Sequence, residues 1–545
     1  MSHDDPSSLP GGPSARADID HPWIAGHWAT ASGAVVAEAA AGLTPVDVFR
    51  HAARLPHAIF LDSAQIDGAQ LDGVQVDGGP ADSGRIDRTQ PDQAAVRGVN
   101  GLRPLRLGRF SFVAADPIHS WQVDRSGDWS ATSDDIAATF AATRTLLADL
   151  ACPTIPGLPP FQGGAAGLFS YECGLSRLGL EPPPAAGAEP VISLHVYDLV
   201  FAYDHDLGRG WFISQGVPAR GPVERLRRAT ERLTAWVAKP ATASRGRAAA
   251  AAFPAPGGHP LPGHPQVRST HSRESYLEMV RAGIELVHAG DIFQANLAQR
   301  FSATADADPV EAYLRARSVN PAPFAGYLDA GGIQVASMSP ERFLQVCRGV
   351  VRTHPIKGTR RMIASPEADL YAGVELEASD KDRAENVMIV DLLRNDLARV
   401  CTPGSVRVEA LCRLERYRYV QHLVSIVAGR LRPGLGAIDA LEAAIPGGSI
   451  SGAPKHRACE IISSLEGVAR GCYCGSLGYL GFDGTADFNL MIRTLVIAPG
   501  SITFSAGGGI TAASDPAAEY AESLHKAEGM LRALDSLRIG ERPPA

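Results

Sequence analysis

The sequence predicts a mixed fold of strands and helices. Two observations predict it. The first half alternates short apolar runs, AIFLDSA, FSFVAADP, LHVYDLVFAYD and GWFIS, with turn residues, while the second half holds several stretches with apolar residues at helical spacing. The chain has 545 residues, more than a single core usually serves, so two substructures or one large composite domain are expected.

Taken in order, residues 1–25 are polar and lack an apolar stretch, and read as a disordered tail. Residues 26–238 form a strand-rich subdomain closed by the helical segment VERLRRATERLTAWVA. Inside it, QIDGA, QLDGV and QVDGG begin at Gln65, Gln70 and Gln75 and run on into Gly/Pro/Asp-rich sequence. Three five-residue copies cannot bury a core, so residues 65–104 are expected to be a surface insertion rather than a β-solenoid. Residues 239–268, rich in Ala, Pro and Gly, read as a linker. Residues 269–538 hold most of the chemistry. Their first helix is predicted in SRESYLEMVRAGIELVHAGD, with Ser272 as N-cap and Gly290 as stop, and further helices are predicted at 380–397, 438–444, 454–465 and 516–535.

The net charge of -8 argues against a general nucleic-acid binder, which carries a basic surplus. No run of ~18 apolar residues occurs, so a soluble, cytoplasmic protein is expected, with no membrane partner. The eight cysteines lack paired metal spacing and read as reduced, buried thiols.

The stretch HPIKGTRR sets Lys357 close to Arg360 and Arg361, three like charges that lower a lysine pKa when buried together. Upstream, SPERFLQVCRGVVRTHPIK reads as two strands. With Cys347-Arg348-Gly349 as a three-residue turn, Glu341 lies opposite Pro355, and Lys357 is its diagonal neighbour on the same face at roughly 7 to 8 Å. A two-residue turn would put the pair on opposite faces. Taken alone, Glu341 and Lys357 also read as a cross-strand ion pair worth at most about 1 kcal/mol.

Two helices carry acidic pairs at i, i+3. Asp382 and Glu385 share one face of DKDRAENVMIVDLLRNDL, and Glu519 and Glu522 share one face of SDPAAEYAESLHKA, where Asp515 is the expected N-cap and Pro516 the first helical residue. Solvated faces are the ordinary reading of such pairs. Brought face to face, they make an oxygen-rich site suited to Mg²⁺. Just before the second pair, Gly507, Gly508 and Gly509 leave backbone N–H groups open to a carboxylate. IPGGSISGAPK is not a phosphate loop, because Ala453 stands where that motif needs Lys. It reads as a turn capping the next helix and offering Ser449 to an anion.

Together, GDIFQANLAQRF (290–301), SPERF (339–343), PIKGTRR (355–361), RAENVMIVDLLRNDL (383–397), YVQHLVS (419–425), PGGSISGAPK (446–455), YCGSLGYLGFDG (473–484), FNLMIRT (488–494) and AGGGITAASDPAAEYAESLHKA (506–527) resemble the chorismate-utilising enzymes. FLDSA, LGRFSFVAADP and PPFQGGAAGLFSYE are similar to the matching parts of anthranilate and aminodeoxychorismate synthase large components. The resemblance implies an α+β fold, two large antiparallel β-sheets packed as a sandwich with helices outside.

It also implies an activity. Family members that add water to chorismate carry a lysine base where this chain has Gln294, so ammonia is the expected nucleophile. The anthranilate branch typically reads PIAGT and the aminodeoxychorismate branch PIKGT, as here. The implied reaction converts chorismate and ammonia to 4-amino-4-deoxychorismate, for p-aminobenzoate and folate biosynthesis. Lys357 is the covalent nucleophile and Glu341 the general acid and base.

The resemblance assigns Glu385 and Glu522 to Mg²⁺, with Asp382 and Glu519 as outer partners. Tyr473 and Arg493 hold the enolpyruvyl carboxylate, while Gly507, Gly508, Gly509 and Ser449 hold the ring carboxylate. His422 lies near C4, and Lys526 is a second anion contact or a helix-surface charge. No nucleophilic cysteine on a Gly-rich elbow is found, so a separate glutaminase subunit is implied as the source of ammonia. A tryptophan pocket near FLDSA is implied for the N-terminal half. The rivals are anthranilate synthase component I and a non-catalytic anion-binding subunit.

Overall fold

The computed structural model describes residues 19–63, 108–185, 187, 189–239, 257–361, 366–416, 420–535 and 537. Two antiparallel sheets dominate it, one of 14 strands and one of 10, with eleven helices among the described residues. Residues 1–18 of the proposed tail, all of the proposed insertion and most of the linker lie outside the described residues. The rest of the proposed tail is not disordered: Ile19 is buried, and Ile24 and Ala25 open the strand Ile24–Ala29, which pairs with Val35–Ala39. The described end of the linker is ordered: His259–Leu261 and His264–Ser269 pair with each other and add to the edge of the larger sheet.

Both halves of the sequence contribute to both sheets. In the larger sheet Ile59–Asp62 pairs with Phe324–Asp329, and in the smaller one Gly164–Phe169 pairs with Ser476–Gly481. Apolar residues on the facing surfaces meet between the sheets, with Val36, Ile59 and Phe112 from one side against Leu168, Leu477 and Tyr479 from the other. The outer face of each sheet is covered by helices. Phe49, Tyr313, Trp236 and Met530 lie over the larger sheet, and Ile389, Leu393 and Leu441 over the smaller. Central strands such as Gly164–Phe169 and Ile192–Tyr197 are buried at every position because both their faces are covered, whereas strands toward the sheet edges, such as Ile24–Ala29 and His119–Val123, keep exposed residues.

The helices begin where their caps dictate. Ser272 accepts the N–H of Ser275 at the start of Arg273–His288, and Asp515 accepts the N–H of Ala518 at 2.9 Å as Pro516–Asp535 begins. Asp380–Ala398, Ala437–Ala444 and Lys455–Glu466 fall within a residue of their predicted bounds. The last begins at Pro454 without a side-chain cap, so Ser449 is not a helix cap.

The hairpin at residue 348 differs from its prediction. Cys347 pairs with Val350, leaving a two-residue turn of Arg348 and Gly349 with φ of 49° and 71°. Two left-handed residues form the turn whose twist matches the flanking strands, and this outweighs the modest strain at Arg348. The ladder between Arg342–Cys347 and Val350–Thr353 ends at Gln345 and Arg352. Ile356–Arg361 does not extend it. That strand pairs with Val420–Arg430, where Ile356 and Lys357 keep the register set by Val350–Thr353, placing Lys357 opposite Leu423, before the register shifts by one between Lys357 and Thr359.

Candidate active site

Glu341 and Lys357 therefore do not meet as diagonal neighbours in a hairpin. They converge on Ser449, in the short turn Gly448–Ile450. The Ser449 hydroxyl donates to Glu341 Oε1 at 2.7 Å, and Lys357 Nζ donates to the Ser449 carbonyl at 3.1 Å. The Ile356 N–H also donates to the Glu341 carboxylate. A tertiary contact from a segment about a hundred residues away thus does what strand register was expected to do.

The electrostatics of the pair run in opposite directions. Glu341 is 5% exposed, and burial pushes its pKa from the usual 4.5 up to about 7, against the lowering effects of Ser449 and Lys357. Burial also lowers the pKa of Lys357, and Lys526 adds to this, while Glu385, Glu341 and Glu522 oppose it. Arg360 is not the cause. Its guanidinium turns to Glu375 and Asp382, at 3.5 and 3.6 Å. An amine whose pKa is lowered beside a carboxyl whose pKa is raised is the direction of shift that suits a nucleophile and a general acid.

The two acidic helices come from opposite sides of the site. Asp380–Ala398 packs on the strands carrying Lys357 and its neighbours, and Pro516–Asp535 packs on Ser501–Ile510. Glu385 is raised by burial and by the charges of Asp382 and Glu522, which brings one carboxylate of each helix into the same field. Burial also acts to raise Glu522, but Lys526, Lys381 and Lys357 outweigh it and its pKa falls. Lysines and arginines answer these carboxylates: Lys526 Nζ lies 2.7 Å from Glu522, Lys381 3.9 Å from Glu519, and Arg360 near Asp382. Among the described residues no three His, Cys, Asp or Glu side chains form a metal-binding cluster. Mg²⁺ takes one or two carboxylates and completes its shell with water and ligand oxygens, so Glu385 and Glu522 have the donor chemistry to hold it.

The three glycines lie on Ser501–Ile510, paired with Gln294–Thr304. The neighbouring Thr494–Ala498 pairs only as far as Thr503, leaving the glycine stretch without a strand on that side among the described residues. A Cβ at Gly507 would stand 2.0 Å from the Leu297 carbonyl, and one at Gly509 would stand 1.9 Å from Gln294 Nε2. Lys526 Nζ donates to the Gly507 carbonyl at 2.9 Å. Gln294 is buried over Gly509, with its Oε1 lacking a hydrogen-bond donor.

The remaining candidates frame the same region. His422 is paired with Thr359, and burial, with Arg493 adding to it, pushes its pKa down to about 3, so it is a neutral imidazole. Tyr473 is buried in the turn before Ser476–Gly481, and its neighbour Cys474 feels the Glu341 charge. Lys455 is committed elsewhere, at 2.7 Å from Asp396 and bonded to the Ala444 and Pro446 carbonyls, as befits a structural lysine rather than a phosphate ligand. All eight cysteines are free, and Cys472 and Cys474 are buried thiols pushed up by desolvation.

Asn386 is a positioning residue missed by sequence reasoning. It receives the Ser425 hydroxyl at 2.5 Å and donates to the Leu423 carbonyl at 3.3 Å, tying the helix next to Glu385 to the strand opposite Lys357. A lone amide inside the apolar run ENVMIV was the available signal. A separate pocket, partly open to solvent, adjoins Leu61, Asp62, Ser63, Phe110, Arg342 and Tyr479, on the segment FLDSA. Among the described residues no helix is long and apolar enough to cross a membrane.

Residues 105–532 match the family model described as chorismate binding enzyme. Anthranilate synthase component 1 of Streptomyces coelicolor is 43% identical over 406 residues, 72% of this chain and 77% of that protein. Aminodeoxychorismate synthase component 1 of Klebsiella aerogenes is 40% identical over 436 residues, 78% of this chain and 91% of that protein. Among solved structures, anthranilate synthase component I from Streptococcus pneumoniae superposes with a TM-score of 0.64 at 28% identity, covering 83% of this chain and all of that one. The menaquinone-specific isochorismate synthase of Escherichia coli shares the fold at 16% identity, with a TM-score of 0.62 over 95% of this chain and 96% of that one.

Proposed function

The chain belongs to the chorismate-binding enzyme family, and from that premise we propose that it is an aminodeoxychorismate synthase component I. It converts chorismate and ammonia to 4-amino-4-deoxychorismate and water, for p-aminobenzoate and folate biosynthesis. The observation that carries this reading is the junction at Ser449, where a lysine with a lowered pKa and a glutamic acid with a raised one are hydrogen-bonded to the same residue.

In the proposed sequence the neutral Lys357 amine attacks C2 of the ring as the C4 hydroxyl leaves. Glu341, whose pKa of about 7 keeps it partly protonated, delivers the proton that lets hydroxide depart as water. Ammonia then bonds to C4, the C2–nitrogen bond breaks, and Glu341 takes a proton from the incoming nitrogen. Lys357 leaves as the free amine, so the protein returns to its starting state. Gln294 cannot deprotonate water, which supports ammonia over hydroxide as nucleophile. His422 contributes as a neutral orienting group.

Mg²⁺ belongs to the same reading. Held by Glu385 and Glu522, with Asp382 and Glu519 outside them, it would neutralise carboxylate charge on the substrate. Tyr473 and Arg493 read the enolpyruvyl carboxylate, and a planar guanidinium suits that task. The glycine strand, Ser449 and Lys526 serve the ring carboxylate. Ammonia comes from a glutaminase partner, in keeping with the component 1 names of the relatives and with the burial of every cysteine except the half-buried Cys347. The cavity at Leu61–Ser63 is the proposed seat for tryptophan, to be tested by calorimetric titration with that amino acid.

The 43% identity to the Streptomyces coelicolor protein favours a second reading, anthranilate synthase component I. Incubation with chorismate, Mg²⁺ and ammonium, followed by mass analysis, separates the two. A product that keeps the enolpyruvyl group supports the first. Release of pyruvate with a fluorescent aromatic amine overturns it.

A further inference from the structure

Arg470 and Glu466 form an ion pair that no step above uses, although it touches three walls of the site. Glu466 is the last residue of Lys455–Glu466, which stops at Gly467 in a left-handed conformation, and the reversal brings Arg470 back over the helix end. Arg470 Nε donates to Glu466 Oε2 at 2.9 Å and Nη2 to Oε1 at 2.6 Å, a bidentate pair with the side chains 2% and 5% exposed.

The remaining bonds of this pair all leave the helix. Arg470 Nη1 donates to the Ile450 carbonyl at 3.0 Å, next to Ser449. Nη2 also donates to the Asn296 carbonyl, and Glu466 Oε1 accepts the Ala298 N–H at 2.9 Å, both on the strand that starts at Gln294. The guanidinium lies 5.7 Å from the centre of the Tyr473 ring and 4.7 Å from that of Tyr171. One ion pair therefore joins the segments carrying Ser449, Gln294 and Tyr473.

We propose that the Arg470–Glu466 pair is a positioning device that holds Tyr473, the Ser449–Ile450 turn and the Gln294 strand in the geometry that reads substrate. It rests on the functional reading given above. Burying a bidentate pair is a weak way to gain stability, since well-packed apolar residues of similar volume do as well or better. What an apolar pair cannot do is fix two carbonyls, an amide N–H and an aromatic ring at set directions, and a misplacement of about 1 Å costs on the order of 10²-fold in rate. Arg470 and Glu466 contact no reacting atom, so they act through the residues they hold.

The test compares wild type with Arg470→Lys, which keeps the charge but loses the planar fork, and with Glu466→Leu/Arg470→Met, which removes both charges together. Thermal stability, KM for chorismate and kcat are measured with ammonium and Mg²⁺, below the melting point of each protein. The expected result is folded protein whose kcat/KM falls at least tenfold, with KM raised through Tyr473 and kcat lowered through Ser449 and Lys357. A purely structural role would move the melting temperature and leave kcat/KM of the folded fraction within twofold, which overturns the proposal. So does a failure of both variants to fold, since a positioning device is dispensable for folding. If wild type itself does not turn over chorismate, it is the functional reading that has failed.

Discussion

The Ser449 hydroxyl donates to Glu341 at 2.7 Å while its own carbonyl receives Lys357 at 3.1 Å, so one small residue couples the proposed acid to the proposed nucleophile. Neither bond is visible to strand register, and both follow from seating the Gly448–Ile450 turn against the end of the smaller sheet.

Lys357→Ala removes the amine and leaves the carbonyl of Ser449 without its donor. Turnover is expected to fall at least ~10³-fold, with loss of the protein–substrate adduct in intact-mass spectra of quenched reactions. Chorismate affinity should change far less, because its carboxylates are read by other residues. Unchanged turnover would remove the lysine from the mechanism.

Glu341 links activity and stability to pH. Its folded pKa of about 7 lies above the usual 4.5, so the fold favours the protonated form. That contribution is fully present below about pH 4.5 and is lost as pH rises through about 7, an effect of about 3 kcal/mol by pH 8. Glu341→Gln, neutral at every pH, should melt higher than wild type at pH 8, match it near pH 5, and be inactive at both. In wild type, kcat should decline above about pH 7.

Ser449→Ala keeps the carbonyl for Lys357 and deletes only the donor to Glu341. Losing a hydrogen bond to the charged form raises the carboxyl pKa further, by about one unit. The alkaline limb of the rate profile should move up by that amount, and a profile identical to wild type would show that the hydroxyl does not act on Glu341.

Glu385→Gln and Glu522→Gln address the metal. Each should weaken Mg²⁺ binding at least tenfold in calorimetric titration with chorismate present, while Asp382→Asn should have a smaller effect. Chelation with EDTA should abolish wild-type turnover and added Mg²⁺ restore it. Full activity in EDTA would argue against the ion altogether.

The glycine strand distinguishes backbone from side-chain crowding. Gly507→Ala sets a Cβ 2.0 Å from the Leu297 carbonyl and 2.5 Å from Ala298 Cα, both in the paired strand, and should unfold the protein or lower its melting point sharply. Gly508→Ala meets the movable end of Glu519 at 2.9 Å and should fold with a cost of about 1 kcal/mol. Circular dichroism melts of the two variants decide this.

Local chemistry was legible in the chain wherever residues near in sequence determine it. The caps at Ser272 and Asp515, the bounds of the later helices and the acidic pairs at i, i+3 follow from 3.6-residue periodicity and the hydrogen-bonding reach of one side chain. The identities of Lys357, Glu341 and Gln294 carried the expected chemistry through the family resemblance. The tertiary structure decided what touches what. The two-residue turn at Arg348 broke the predicted register, Ser449 arrived from another segment to join acid to nucleophile, and Arg470 closed over Glu466 to tie three walls together. Those contacts depend on how two sheets pack and how far each pKa is moved by burial. Such properties belong to the assembled sandwich and to no short stretch of the chain.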